Sequence, residues 1–205
     1  LRTMMTDHHK DLKLFSLIMG MLVLPQLWGC RTPHTIRSSE TVVGQTMGTT
    51  YSIKYLPSSS TVSIAEVSEL IDSTLESVNS QMSTYRDDSE ISRFNQYTSV
   101  DWFPVSKETA QIVQLSLQIH ELTDRCFDIT VGPLVELWGF GPSEGAASMP
   151  TESTIQELLG SVGSDKLEVR MDPPSLRKTV PGLQVDLSAI AKGHGVDRIA
   201  GLLEK

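Results

Sequence analysis

The stretch Val185-Asp186-Leu187-Ser188-Ala189-Ile190-Ala191-Lys192-Gly193-His194-Gly195-Val196-Asp197 constrains this chain more than any other. Gln184 to Leu187 reads as the end of a strand, and the spacing of Val196, Ile199, Ala200 and Leu203 reads as one face of a helix. Between them Gly193 and Gly195 have no Cβ, so a ligand can lie against backbone N–H groups while Lys192 supplies a positive charge. Such a junction suits a phosphate-bearing ligand. An upstream block, Phe127 to Pro142, has the same character, with a second acid, Asp128, and a Gly-rich, aromatic loop.

The rest of the chain mixes strands and helices without strict alternation, which favours an α+β fold over a doubly wound parallel sheet. Val42 to Tyr55 alternates as a strand or hairpin, with Gly44 and Gly48 as bends. After a loop at Pro57-Ser58-Ser59-Ser60, Ser63 and Glu66 form a capping-box pattern. The apolar series Ile64, Val67, Leu70, Ile71, Leu75 and Val78 then defines a helix. A short helix is expected around Glu90 to Phe94. A longer one starts near Ser106, with Ile112, Val113, Leu115, Ile119 and Leu122 inward. Gly141 to Pro150 reads as a loop and Thr154 to Leu159 as a short helix. Lys166 to Val185 holds two or three strands with turns at Pro173-Pro174 and Pro181-Gly182.

The N-terminus reads as a targeting segment. Lys10 and Lys13 precede an apolar run of about eleven residues, Leu14 to Leu24, too short for a membrane span and right for a signal-peptide core. Leu27-Trp28-Gly29-Cys30 reads as a lipobox with Cys30 as the lipidated residue, although Trp28 is bulkier than usual there. A simple secretory signal and an uncut anchor are the alternatives. The expected organisation is a signal peptide over 1–29, a polar lipid-anchored tether over 30–41 and a folded domain over 42–205. Removing the segment before Cys30 deletes three cations, Arg2, Lys10 and Lys13, against two acids, Asp7 and Asp11, and takes the formal charge from −8 to −9. That balance argues against nucleic acid as a partner. If Cys30 is acylated, Cys126 has no disulfide partner. The five histidines form no H-x-x-H pair, so a zinc site is not expected.

Two further stretches complete a pattern: Gln45-Thr46-Met47-Gly48-Thr49-Thr50-Tyr51-Ser52-Ile53-Lys54-Tyr55 and Met82-Ser83-Thr84-Tyr85-Arg86-Asp87-Asp88-Ser89-Glu90-Ile91-Ser92-Arg93-Phe94-Asn95. With the two blocks above, and in the same order, they resemble the ApbE family of FAD:protein FMN transferases. The resemblance implies that a threonine hydroxyl of a target protein attacks the FMN-side phosphorus of FAD, with Mg2+ assisting and AMP leaving. It implies clients among flavoprotein subunits of membrane redox complexes of the Na+-translocating quinone reductase (Nqr) or Rnf type. It also implies a place on the periplasmic side of a bacterial inner membrane. An FAD pyrophosphatase and a non-catalytic FAD-binding lipoprotein are the competing functions. Proteins of this family continue past the position of Lys205, which falls in an apparent helix without a C-cap. The expectation is therefore an N-terminal portion that lacks the family's carboxylate and threonine metal ligands and is inactive alone.

Residue by residue, the resemblance implies flavin contacts at Met47, Tyr85, Cys126, Phe127, Asp128, Asp186 and Lys192, and a Mg2+ ligand at the backbone carbonyl of Ala189. Each has a plainer alternative. Met47 can be core packing, Tyr85 a half-exposed ring, Arg86 part of a surface ion pair with Asp87 or Asp88. Asp128 and Asp186 can be turn or helix caps, and Lys192 a solvated helix residue. His194 stands where the family more often has an aromatic, and adds a titratable group expected near the pyrophosphate.

Overall fold

Alternation in the first part of the domain becomes a hairpin: β1 (Glu40–Thr46) pairs antiparallel with β2 (Thr49–Tyr55), Val42 opposite Ile53. The chain is seen here as a computed structural model that describes residues 38–57, 62–142 and 149–204. Cys30, the signal segment, nearly all of the tether, the serines after Pro57 and residues 143–148 of the expected loop lie outside the described residues. Met47 and Gly48 form the two-residue turn, with φ of 50° and 69°. Two positive φ values are what a primed hairpin turn demands. Glycine takes that conformation freely, whereas Met47 is held there at a conformational cost. Gly44 is not a bend. It lies within β1 opposite Tyr51, whose ring covers it so closely that a Cβ would approach Tyr51 Cζ to 2.5 Å.

The capping box forms as read. Ser63 Oγ accepts from Glu66 N at 3.3 Å, Ser63 N donates to Glu66 Oε2 at 2.8 Å, and α1 runs Ile64–Met82. Its buried stripe is Val67, Ile71, Leu75, Val78 and Met82, while Ile64 and Leu70 are exposed. Ser89 caps α2 (Glu90–Gln96) and Ser106 caps α3 (Lys107–Leu122). On α3 Ile112 and Val113 face inward, but Leu115 and Leu122 face solvent, because the helical period places Thr109, Ser116 and His120 on the inner stripe.

A three-stranded antiparallel sheet follows the order β3 (Phe103–Pro104), β5 (Pro174–Lys178), β4 (Leu167–Met171). The stretch after Asp128 is part helix, and Trp138 to Pro142, with its aromatics and two glycines, follows as the expected turn and loop. The helix is α4 (Gly132–Leu137), with Pro133 in its first turn. Thr151 caps α5 (Glu152–Leu159), and the last helix is α6 (Ser188–Leu203). Helices packed with two antiparallel sheets make the fold α+β. One core joins the end of α1 to α2, α3, the three-stranded sheet and Leu183, Val185 and Leu187. A second lies under the hairpin, around Val42, Ile71, Leu75 and Ile199.

The junction expected at Gly193 and Gly195 is built differently. The preceding strand shrinks to one parallel bridge, Val131 to Gln184, and helix begins at Ser188, so both glycines lie inside α6. Glycine in a helix interior costs about 1 kcal/mol relative to alanine. At Gly195 the compensation is close packing: a Cβ there would come within 3.3 Å of Met47 Cε and 3.6 Å of Leu75 Cδ2. The buried stripe of α6 is Ala191, Gly195 and Ile199, leaving Val196 and Ala200 exposed.

Candidate functional site

Two motif blocks far apart in sequence run side by side. Asp186 N donates to Ile129 O at 2.8 Å, next to the bridge between Val131 and Gln184. The other side of this segment is held by a side chain acting as a strand would. Asn95 Nδ2 donates to Val185 O at 2.9 Å, and Val185 N donates to Asn95 Oδ1 at 2.8 Å. Phe127 is fixed by His120, whose Nδ1–H donates to Phe127 O at 2.8 Å from the end of α3. The backbone that carries Phe127, Asp128 and Asp186 is thus set from three elements.

Asp128 is the hub of this wall. Its Oδ1 accepts from Thr130 N at 2.8 Å, Thr130 Oγ1 at 2.7 Å and Ser164 Oγ at 2.9 Å, and its Oδ2 accepts from Ser164 N at 3.2 Å. His120 Nδ1 lies 3.7 Å from Oδ2. Burial alone would raise its pKa, but the hydrogen bonds from Thr130 and Ser164 outweigh that and hold the carboxyl below its ordinary value. Asp186 has more to spare. Its Oδ1 accepts from Ser188 N at 2.8 Å, which secures the first N–H of α6, and no partner engages Oδ2 among the described residues. The capping read as the plain alternative for both aspartates is therefore real, although the partners of Asp128 include a turn 36 residues away.

The facing wall is looser. Met47 reaches in from the hairpin turn; Lys192, exposed on α6, sits one turn after Ser188. Tyr85 is 65% exposed and donates from its hydroxyl to Phe140 O at 2.9 Å. Between the walls lie two adjoining cavities of about 640 and 690 Å3. Met47, Tyr85, Ser188 and Lys192 line the first. Tyr85, Cys126, Phe127, Asp128, Asp186, Ser188 and Ala189 line the second. Every residue singled out for flavin or metal contact borders one or the other, and Tyr85 and Ser188 border both. Ser188 was not singled out, nor were Asn95, His120, Thr130 and Ser164, which hold the aspartate wall.

No acidic residue occupies the first turn of α6, and beyond the Ser188 N–H held by Asp186 no side chain of the N-cap residue Leu187 caps its N-terminus. The helix end is positive, and Lys192 adds to it rather than opposing it, an arrangement that favours an anion in the first cavity. Arg86 also borders that cavity but is committed elsewhere: it pairs with Glu76, and its Nε donates to Asp88 Oδ1 at 3.1 Å. His194 borders neither cavity. It is turned inward, with Nε2 buried and unpartnered among the described residues, and burial lowers its pKa against the pull of Asp197. The titratable group expected near a pyrophosphate thus borders neither of these cavities, because helix carries His194 past them. Ala189 lies in the first turn of α6, so helix geometry directs its carbonyl toward the N–H of Gly193, with one lone pair left over. Among the described residues no group of three His, Cys, Asp or Glu side chains is placed to hold a metal ion.

An α+β domain with a two-chambered cleft between a hairpin turn, a helix N-terminus and a hydrogen-bonded aspartate defines a ligand-binding class rather than a single activity. Residues 47–205 match the ApbE family, and the chain belongs to it. It is 42% identical over 187 residues to the FAD:protein FMN transferase of Vibrio cholerae, covering 91% of this chain and 54% of that protein. The Haemophilus influenzae protein of the same name is 40% identical, with 94% and 56% covered. Among solved structures, the flavin transferase ApbE from Vibrio cholerae aligns with a TM-score of 0.77 at 44% identity, covering 82% of this chain and 54% of that one. The apo form of Pseudomonas stutzeri flavinyl transferase ApbE aligns with a TM-score of 0.77 at 31% identity, covering 82% and 55%. The chain thus spans about half the length of the relatives it matches.

Proposed function

We propose that the protein acts as a flavin transferase that moves the FMN part of FAD onto a threonine hydroxyl of an acceptor protein. The observation that carries the reading is the convergence of four separated stretches on one two-chambered cleft of a size suited to an organic ligand. The names of the relatives support it. In this reading the threonine oxygen bonds to the FMN-side phosphorus while the pyrophosphate P–O bond to AMP breaks. The hydroxyl proton is lost, and the products are an FMN phosphoester and AMP. Such a transfer depends on positioning and charge neutralisation. Lys192 and the N-terminus of α6 would face the pyrophosphate, Tyr85 and Phe127 would flank the rings, and the spare oxygen of Asp186 would accept from a ligand N–H or O–H.

When bound, Mg2+ would supply further neutralisation at the pyrophosphate. The described residues offer it only hard-oxygen fragments, the Ala189 carbonyl and Asp186, and not a ligand set. A complete ligand set would need groups beyond these, from the part of the longer relatives' length that this chain does not span. Clients of the Nqr or Rnf type, and a Cys30 lipid anchor on the periplasmic face of the inner membrane, belong to the same proposal. Fatty-acid labelling that survived Cys30→Ala would remove the anchor.

The test is product analysis with the full-length protein, FAD, Mg2+ and a candidate acceptor subunit. Fluorescent FMN-protein with stoichiometric AMP is expected. Free FMN with AMP would make the protein an FAD pyrophosphatase, and bound but unchanged FAD would make it a carrier.

A further inference from the structure

Lys178, the last residue of β5, is wholly buried, and among the described residues no carboxylate pairs with it. Its ammonium donates to three main-chain carbonyls, Phe94 O at 3.1 Å, Asn95 O at 3.1 Å and Leu183 O at 3.3 Å, and lies 5.0 Å from the centroid of the Phe94 ring. An unpaired buried cation is costly, and a methionine of similar volume would pack in its place without that cost. The charge therefore calls for a specific reason, and its partners supply one. Phe94 and Asn95 lie in the last turn of α2, where the helix dipole favours a cation; Phe94 O also accepts from Tyr97 N at 3.2 Å. Leu183 begins the segment that leads through Val185 to Asp186. One ammonium thus ties the residue that clamps Val185 to the segment being clamped.

We propose that Lys178 is a positioning residue of the cleft, holding Asn95 and the Leu183–Asp186 segment in the register that presents Asp186 and the start of α6 to the ligand. This rests on the reading of the cleft as an FAD site. The chain of contacts is continuous. Lys178 fixes the carbonyls of Asn95 and Leu183, the Asn95 amide fixes both polar groups of Val185, and Asp186 Oδ1 fixes Ser188 N. Stoichiometry makes the protonation state matter, since an ammonium has three N–H donors for three carbonyls and a neutral amine has two. Burial pushes the pKa of this lysine down to about 8. The charged groups of α2 do not offset this. Glu90 is engaged by Ser106 N and Thr109 Oγ1, and Arg93 Nε donates to Ser89 O. Above pH 8 one of the three carbonyls loses its donor and the register loosens at its deepest point.

The experiment is titration of the full-length protein with FAD, by quenching of flavin fluorescence, between pH 6.5 and 9.5, for Lys178 and Lys178→Met proteins side by side. The Cys126 thiol borders the cleft in both proteins, so the difference between the two profiles belongs to Lys178. The expected result is a several-fold loss of affinity in the Lys178 protein as pH rises through about 8. Lys178→Met should bind at least tenfold more weakly at pH 7 and lack that step. Equal affinity, or the same step in both proteins, overturns the proposal. Should Lys178→Met fail to fold, the profile of a Cys126→Ser protein decides: a step near pH 8 supports the proposal and a flat profile overturns it. If the Lys178 protein binds no FAD at any pH, the FAD reading itself fails, and the proposal with it.

Discussion

The two walls of the cleft are built on opposite principles. On one side Asp128 accepts four hydrogen bonds, Asn95 completes the backbone of Val185, and His120 fixes Phe127. On the other, Met47 hangs from a two-residue turn, Lys192 stands in solvent, and Tyr85 keeps one hydrogen bond while two thirds exposed. The first wall has spent most of its polar capacity on its own geometry, and the second has kept its capacity for a ligand. A family resemblance assigns residues from both walls to one role. The difference in wiring divides them into residues whose loss unfolds the wall and residues whose loss weakens only the contact.

The largest effect should come from Asp128→Ala. It strands the buried N–H groups of Thr130 and Ser164, each at about 1 to 3 kcal/mol, whereas the two hydroxyls can reorient. Thermal unfolding should show a loss of roughly 2 to 6 kcal/mol, with weaker FAD binding as a consequence. Asp128 titrates below its ordinary value in the fold, so its contribution is complete above about pH 4. It is lost as pH falls from there through the folded-state value. Acid unfolding of Asp128→Ala should accordingly depend less on pH than that of the parent. Unchanged stability with reduced affinity would move Asp128 to the ligand-facing class.

The residues that carry local chemistry were legible, and those that carry long-range wiring were not. Ser63 with Glu66, the caps at Ser89 and Ser106, and the stripe from Val67 to Val78 follow from spacing alone, because their partners lie within a few residues. Asn95 acts on Val185 across 90 residues, and Lys178 on Phe94 across 84, and no local pattern marks either. The junction at Gly193 and Gly195 was misread for a related reason. Two glycines signal backbone freedom in sequence, but at Gly195 the need is for space, since Met47 and Leu75 occupy what a side chain would fill. That packing partner, set by the hairpin, lies about 150 residues upstream. The same contact explains why Met47 reads equally well as core and as ligand wall: its methyl group packs against α6 while the residue borders the first cavity.

On the open wall, Lys192→Ala should leave stability within about 0.5 kcal/mol, because the side chain is exposed and has no internal partner among the described residues. FAD affinity in the full-length protein should fall about tenfold, equivalent to roughly 1.4 kcal/mol. Its dependence on ionic strength should also become shallower, since one charge near the anion has gone. A destabilised Lys192→Ala protein would erase the distinction between the walls.

The smallest effect should come from Tyr85→Phe, and its value lies in the pairing with Tyr85→Ala. The hydroxyl that reaches Phe140 O is at an exposed site, where one hydrogen bond contributes about 0.5 to 1.5 kcal/mol at most. If the ring face is what the ligand uses, Tyr85→Phe should bind FAD within about threefold of the parent. Tyr85→Ala should then lose roughly five- to tenfold, in keeping with about 0.5 to 1.5 kcal/mol for an aromatic pair. If the two variants lose affinity equally, the hydroxyl is the working part. Tyr85 would then be a latch that holds Phe140 beside the second cavity, and the open wall would contain one residue wired as firmly as those facing it.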